Sequence, residues 1–278
     1  MNLIMEIILI LQIFVLGLVW GSFLNMAVYR VKHNLSFSGR SFCDHTKEKL
    51  TWKDLIPLLS YFFYKGRCRH CKKKLPAIYP IVEFTTGLVF VLGFWYLWNN
   101  FLDKPLFGLN LFIIVIYSLF FLFFAVYDYL YWEVNVKAIK LALVISALFS
   151  LTAIVLSDKQ LVVSGISGYL GALIAGLIIY LIVKFTKGSG MGEGDIYLMA
   201  FAGFAVGIEG LIPLFLISSV SGSIIGIIKA LRVGKLHGVQ IQFVPFISFA
   251  ALAVLFWKDS ILKLLSLDEF FLLISEYL

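Results

Sequence analysis

Between two strongly apolar stretches, the chain reads KGSGMGEGDIYLMA, residues 187 to 200. It ends a run of alternating glycines with the motif Gly192-Glu193-Gly194-Asp195. Each glycine weakens a helix by about 1 kcal/mol relative to alanine. Since glycine also tolerates backbone conformations that other residues avoid, we expect the backbone around Asp195 to leave helical geometry.

The composition places this stretch in a membrane protein. Hydrophobic residues make up 61% of the 278 residues and charged residues 14%, whereas a soluble domain is about half apolar and a quarter charged. Segments long and apolar enough to span a bilayer lie at residues 3–27, 79–97, 109–127, 138–156, 161–183, 193–208, 210–229 and 243–258. We therefore predict an all-α integral membrane protein with about eight transmembrane helices, of which the sixth is short.

The charged residues are unevenly distributed along the chain. Residues 30–77 hold twelve of the 23 Lys and Arg residues and only three acids, so the positive-inside tendency predicts a cytoplasmic insert. A basic insert between spans favours a topology signal over nucleic-acid binding, and we expect no nucleic-acid partner. The predicted regions are a first span at 1–29, the insert at 30–77, a membrane core at 78–260 and an amphipathic surface helix at 261–278. The first span lacks a cleavage site and is expected to be retained.

Two carboxylates have similar positions relative to the predicted spans. Asp128 ends the third span and Asp195 begins the sixth, and span counting from the insert puts both on the cytoplasmic side. An ionisable residue in a span is a candidate for a functional site. Two carboxylates a few ångströms apart share one proton near neutral pH, so one takes a proton from water while the other donates to a peptide carbonyl. This is the chemistry of an aspartic peptidase.

Several further motifs occur along the chain in a consistent order. They are GSFLN at 21–25 with Arg30, LIPLLSY at 55–61, GRCRHC at 66–71, YPIVEFT at 79–85, GMGEGD at 190–195 and IQFVPFISFA at 241–250. Taken together they resemble the motifs of one family, the bacterial type IV prepilin leader peptidase/N-methyltransferases. By this resemblance Asp195 is one catalytic aspartate and Asp128 the other. The chain departs from the family pattern at Val134-Asn135, where relatives have Pro-Asp, and at Tyr197, where many have Lys.

The resemblance implies an activity and its partners. Such enzymes cut the basic leader from pilin or pseudopilin precursors at the cytoplasmic face of the bacterial inner membrane, and many then methylate the new N-terminus with S-adenosylmethionine. No fingerprint in the sequence identifies a place for that cofactor. Two alternatives remain: an intramembrane protease of other membrane helices, and a non-catalytic transporter or scaffold of pilus assembly.

The three cysteines, Cys43, Cys68 and Cys71, all lie in the insert. Because the cytoplasm is reducing, a disulfide is not expected. Two C-x-x-C pairs would form a four-thiolate zinc site, but Thr46 stands where the first pair would end. A zinc-ribbon-like insert with three thiolates and a fourth ligand is therefore one hypothesis, with His45 preferred over His70 and Asp44. The other hypothesis is an insert that folds without metal.

Glu83 is the remaining carboxylate of interest, just inside the second span. It either pairs with a basic group of the insert or shapes the active cavity.

Overall fold

The structure, a computed structural model, describes residues 3–43, 45–101, 107–155, 159–188, 191–234 and 240–267. These residues form nine α-helices and one short 3₁₀ helix. The α-helices are α1 (Leu3–Lys32), α2 (Leu59–Phe63), α3 (Ile78–Phe101), α4 (Phe107–Tyr131), α5 (Val136–Val155), α6 (Lys159–Phe185), α7 (Glu193–Val206), α8 (Leu211–Val233) and α9 (Val244–Leu264). Pairing between extended segments is limited, within the described ranges, to two isolated bridges in the insert.

Every predicted span corresponds to a helix, so the all-α membrane fold is confirmed. Within the described ranges, six helices are long and apolar enough to cross a membrane: α1, α3, α4, α6, α8 and α9. Helix α7 has 14 residues and is about 21 Å long, which is shorter than the bilayer's hydrocarbon core of about 30 Å. The predicted surface helix lies mostly outside the described residues, because α9 ends at Leu264 and the description stops at residue 267.

The chain forms two compact units, Met1–Phe123 and Phe124–Leu278, and α4 contributes to both. In the first unit α1 packs on α3 through glycines: a Cβ added to Gly21 would lie 2.6 Å from Cα of Glu83. In the second unit α7 packs on α6, where Gly171 and Gly203 meet so closely that neither position has room for a side chain. Small residues therefore bring helix backbones together, as is common in membrane bundles.

The insert between α1 and α3 has little regular structure. A 3₁₀ helix at Trp52–Asp54 and the short α2 are its helical parts. Its first loop is held by Arg30, a 4% exposed residue near the end of α1. The guanidinium of Arg30 donates hydrogen bonds to four backbone carbonyls, those of Ser36, Ser38, Gly39 and Arg40, at 2.8 to 3.3 Å. Sequence reasoning saw Arg30 only as part of a motif, and its contacts explain why a charged residue is buried there.

Candidate active site and metal centre

Asp128 lies in the last turn of α4 and is 6% exposed. Its carboxylate oxygen Oδ2 is buried and has no hydrogen-bond donor among the residues that the structure describes. The backbone carbonyl of Asp128 accepts hydrogen bonds from the N–H of Trp132 and from Nε2 of Gln242. The end of α4 is thus fixed by its backbone, while one carboxylate oxygen is left for a further partner.

Asp195 is the third residue of α7 and is 9% exposed. Its Oδ2 accepts a hydrogen bond from the N–H of Gly192 at 3.0 Å, and its own N–H donates to the carbonyl of Gly192 at 3.1 Å. A carboxylate at the third helical position commonly caps a helix N-terminus in this way, and the helix dipole favours its negative charge there. The start of α7 therefore fixes the Asp195 side chain.

The two carboxylates belong to the same compact unit, and the segments beside them pack together where Gly194 meets Val134. Helix α7 continues from Asp195 into Leu198 and Phe201, both fully buried. Burying a carboxylate among such residues is costly without compensation. The arrangement is a pair of buried acids at the ends of two helices, with apolar packing behind one of them.

The glycines of the motif have different roles. Gly192 is extended, with φ −82° and ψ 160°, and precedes the first helical residue. Gly194 and Asp195 are helical, so the expectation that the backbone leaves helical geometry around Asp195 is wrong for them. Gly194 is required because there is no room for a side chain, since an added Cβ would lie 2.7 Å from Cβ of Val134. Close packing against the segment after α4, rather than conformational freedom, requires this glycine.

Two other positions of this segment were singled out from the sequence. Glu193, in the first turn of α7, is exposed. Tyr197 lies under a lysine from another helix, since Nζ of Lys140 is 5.1 Å from its ring centroid. The segment thus carries an exposed acidic group, and a cation lies near it.

A polar cluster beside the end of α4 was missed from the sequence. Nζ of Lys229, on α8, lies 5.1 Å from the ring centroid of Trp132 and donates to the carbonyl of Gln240 at 2.7 Å. Gln242 contacts the carbonyl of Asp128, as described above. The segment before α9 is thereby held next to the candidate acid. The motif IQFVPFISFA contains Gln242 and was the available signal, but the sequence alone does not reveal the partner.

The three cysteines meet in the first unit. Their sulfur atoms lie within 4.8 Å of one another, and Sγ of Cys43 is 3.6 Å from Sγ of both Cys68 and Cys71. A disulfide would require about 2.05 Å. Tetrahedral zinc with sulfur ligands at about 2.3 Å separates those sulfurs by about 3.8 Å. The donor set and its spacing therefore fit a metal ion such as zinc.

Two loops closed by corresponding hydrogen bonds, here called the first knuckle (residues 42–49, apart from Asp44) and the second knuckle (residues 67–74), present these cysteines. Each is closed by an antiparallel bridge, Phe42 to Lys49 and Arg67 to Lys74. In both, the residue four positions after the first cysteine has a φ of 58° and donates its N–H to that cysteine's carbonyl at 2.9 Å. The knuckles differ at one ligand position, where the second has Cys71 and the first has Thr46.

Hydrogen bonds prepare Cys43 to act as a thiolate. Burial raises the pKa of the Cys43 thiol, but the side chain of Thr46 and the backbone N–H groups of His45 and Thr46 outweigh burial and lower that pKa to about 6. The Cys68 thiol donates to the sulfur of Cys43, and burial raises the pKa of Cys68. Thr46, in the place of a missing cysteine, therefore still contacts the cluster.

His45, the fourth ligand preferred from the sequence, does not lie beside the three sulfur atoms. His45 lies outside the group of ligand atoms, with Nδ1 3.5 Å from Nζ of Lys73. His70 lies between two carboxylates, its Nδ1 3.0 Å from Glu48 and its Nε2 3.6 Å from Asp54. Asp44 lies outside the described residues. The described cluster therefore supplies three protein ligands.

Glu83 connects the insert to α3. It is 9% exposed, and its Oε2 accepts a hydrogen bond of 2.7 Å from the N–H of Leu58, a residue whose φ is 58°. Its partner is thus a backbone donor of the insert instead of a basic side chain. The contact holds the loop before α2 in a conformation that a non-glycine residue rarely adopts.

These features define a polytopic membrane protein with a pair of buried carboxylates and a cysteine-bearing insert, and its sequence matches known families and proteins. Residues 15–97 match the bacterial peptidase A24 N-terminal domain, and residues 114–227 match the type IV leader peptidase family. A prepilin leader peptidase/N-methyltransferase of Bacillus subtilis is 31% identical over 90% of this chain and 95% of its own length. Proteins of the same name from Legionella pneumophila and Xanthomonas campestris are 32% and 26% identical, over 84% and 88% of this chain and 77% and 90% of their own lengths.

The chain therefore belongs to the type IV leader peptidase family. It is a multi-pass protein of the membrane, as its six long apolar helices and these relatives indicate. No solved structure matches the chain.

Proposed function

We propose that this protein is an aspartic endopeptidase that removes the leader from prepilins or pseudopilins, with Asp128 and Asp195 as its catalytic pair. One observation carries the proposal: two carboxylates, from helices far apart in the sequence, are buried in one compact unit in which Gly194, next to Asp195, packs against Val134, in the segment that follows the helix of Asp128. The relatives' name supplies the substrate class.

The pair hydrolyses a peptide bond without metal or covalent intermediate. The ionised carboxylate takes a proton from a water molecule as its oxygen attacks the peptide carbonyl carbon. The protonated carboxyl donates its proton to the carbonyl oxygen, which gives a tetrahedral intermediate. When the C–N bond breaks, a proton passes to the leaving amine. Because one proton is shared, the roles of acid and base belong to the pair.

The surroundings of each carboxylate support this chemistry. The Gly192 N–H holds one oxygen of Asp195, while Oδ2 of Asp128 has no donor among the described residues and is available to a water molecule or a peptide. Exposed Glu193 at the start of α7 offers a negative charge to the basic leader.

The test is cleavage of a prepilin by the reconstituted protein and by Asp128→Asn and Asp195→Asn. Asparagine keeps the size of the side chain but can neither take nor supply the proton, so leader loss is expected to stop. Asp259→Asn is the matched control, since Asp259 is an exposed carboxylate of the same unit. If the two asparagine variants insert normally and cleave at the wild-type rate, the assignment is wrong. No cleavage by the wild-type protein would favour the scaffold alternative.

We further propose that the protein lies in the bacterial inner membrane, with the insert and the carboxylate pair on its cytoplasmic side. The concentration of Lys and Arg in residues 30–77 supports this orientation. Protease added to inverted vesicles should cut the insert, and protease added to intact spheroplasts should leave it whole. The reverse pattern would contradict the orientation.

The same protein, on this proposal, binds zinc through Cys43, Cys68 and Cys71 and methylates the new pilin N-terminus with S-adenosylmethionine. The sulfur spacing supports the metal, whose part would be to hold the two knuckles together. The relatives' name supports the methylation. Metal analysis of the purified protein tests the first claim, and the mass of the mature pilin N-terminus with cofactor supplied tests the second. Metal-free protein with folded knuckles would refute the zinc claim.

A further inference from the structure

An open cavity of about 420 Å³ lies where the end of α1 meets the first knuckle. Tyr29, His33, Leu35, Phe42 and Lys47 line it, and all belong to the first compact unit. We propose that this cavity binds S-adenosylmethionine, with the adenine ring against the aromatic side chains and the methionine carboxylate on Lys47. The proposal rests on the methyltransferase part of the proposed function and adds the place where the cofactor binds.

The aromatic walls are fixed by the structure around them. Tyr29 and His33 are four residues apart on α1, one above the other, with ring centroids 4.4 Å apart. Phe42 meets Tyr29 edge to face at 6.1 Å. Both Tyr29 and Phe42 are half-buried, so parts of their rings remain open to a ligand.

Arg30 explains why Phe42 lies opposite Tyr29. Its bonds to the carbonyls of residues 36–40 fold the loop after α1 back toward the helix that carries Tyr29. The first knuckle then places Lys47 on the same side, with Nζ 4.9 Å from the ring centroid of Phe42. The left-handed conformation of Lys47 and its N–H bond to the carbonyl of Cys43 fix the backbone from which this side chain extends. Sites built on a fixed backbone bind with less loss of conformational entropy.

The chemistry of the lining suits this cofactor. Adenine presents flat faces that stack on aromatic rings, and a sulfonium ion is attracted to the faces of Tyr and Phe. A carboxylate pairs with an ammonium such as that of Lys47. The volume lies in the range of small-molecule sites, about 300–1,000 Å³. Methyl transfer then requires the neutral pilin amine to attack the methyl carbon; the C–S bond breaks, its electron pair stays on sulfur, and the amine loses a proton.

A second cavity of the first unit lacks these features. It measures about 190 Å³ and is lined by apolar side chains of α1 and α4, such as Trp20 and Phe120. A zwitterionic cofactor with a sulfonium charge would lose its hydration there without compensation. An anionic lipid headgroup is the competing occupant of the larger cavity. Its lining favours the adenosyl group, because flat rings outnumber the single lysine.

The experiment measures S-adenosylmethionine binding to the full-length protein in nanodiscs of zwitterionic lipid, by equilibrium dialysis. Tyr29→Leu, Phe42→Leu and Lys47→Gln should each weaken binding by about fivefold or more, the usual cost of losing one stacking or charge contact. Phe37→Leu and Lys49→Gln are matched controls, since both residues are exposed in the same loop region and outside the lining. They should bind as the wild type does. Prepilin cleavage should persist in all five variants, while methylation falls in the first three.

Three results would overturn the proposal. If the wild type binds the cofactor and the three lining variants bind it equally well, the site is elsewhere. If the wild type neither binds it nor methylates pilin, the methyltransferase function itself fails. If the purified lining variants lose phosphatidylglycerol that co-purifies with the wild type, but bind the cofactor as the wild type does, the cavity is a lipid site. Unchanged metal content and thiol reactivity in Phe42→Leu show that the adjacent knuckle is intact.

Discussion

The two compact units differ in how their buried charges are held. In Phe124–Leu278 the two candidate carboxylates are buried, and Oδ2 of Asp128 has no hydrogen-bond donor among the described residues. In Met1–Phe123 the buried charges of Arg30 and Glu83 bond to backbone groups of the insert, whose lysines are exposed. A buried acid with an oxygen left for a partner is therefore the functional signal in the second unit. In the first unit function has to be sought in clusters, namely the three sulfurs and the aromatic cavity.

If this contrast is correct, a substitution in one unit should impair the function of that unit and leave the function of the other unit unchanged. The largest effect is expected from Asp128→Asn and Asp195→Asn, which should lower the rate of leader cleavage by about 10²–10⁴-fold. The double variant should cleave no more slowly than the worse single one, because the two acids act as a unit. The rate of leader loss in reconstituted vesicles measures this.

Both variants should retain the wild type's metal content and cofactor binding. A carboxylate variant that also loses metal would break the separation between the units.

The corresponding change in the first unit is Cys68→Ser. Structural zinc contributes about 10–16 kcal/mol of apparent binding free energy, so loss of one of three thiolates should release the metal and expose the insert to proteolysis. Metal content and the rate of insert cleavage by trypsin are the measurements. Leader cleavage should stay within a few-fold of the wild type.

Ser41→Ala serves as a control, since Ser41 precedes the first knuckle and contributes no sulfur. Cys68→Ser protein with unchanged metal would refute the ligand set.

Within the second unit, the two motif glycines should respond differently. Gly194→Ala forces a Cβ to within 2.7 Å of Val134, and overpacking of this kind costs about 1–3 kcal/mol. Displacement of the start of α7 should lower the cleavage rate by about tenfold. Gly192→Ala should be tolerated, since its added Cβ meets nothing closer than 3.8 Å.

The double variant Gly194→Ala/Val134→Ala should recover most of the activity. Failure to recover would show that Gly194 is required for its conformation and not for space.

The smallest effect is expected where the knuckles differ. Thr46→Cys should complete a four-thiolate site, because the first knuckle already has the closing bridge and the turn hydrogen bond of the second. Metal should then be removed more slowly by a chelator, by about tenfold, and cobalt-substituted protein should shift to a four-thiolate absorption spectrum. Thr46→Ser, which keeps the hydroxyl, is the control. An unchanged cobalt spectrum in Thr46→Cys would mean that this position does not reach the metal.

Local patterns were enough to predict the helices. Each of the eight apolar segments forms a helix, because bilayer-length hydrophobicity is a property of consecutive residues. The two carboxylates were singled out as candidates in the same way, as rare charges at the ends of such segments. The close contact between Gly171 and Gly203, by contrast, could not be predicted in this way.

Contacts between distant segments were not predictable from one sequence. No sequence pattern near Gln242 predicts that its side chain contacts the carbonyl of Asp128, which is 114 residues away. His45 was preferred as the fourth ligand, yet in the folded knuckle its Nδ1 lies 3.5 Å from Nζ of Lys73. The aromatic cavity joins residues that no motif groups, so only the folded loop reveals it.

Arg30 sets a limit on engineering. It belongs to the membrane helix α1, but its guanidinium organises the opening loop of the insert by binding four carbonyls there. Anyone who grafts residues 33–77 onto another scaffold leaves those carbonyls without their donor. An insert that is to fold on another scaffold must include the last turn of α1, which carries Arg30. The solubility of the resulting protein then has to be engineered with that turn in place.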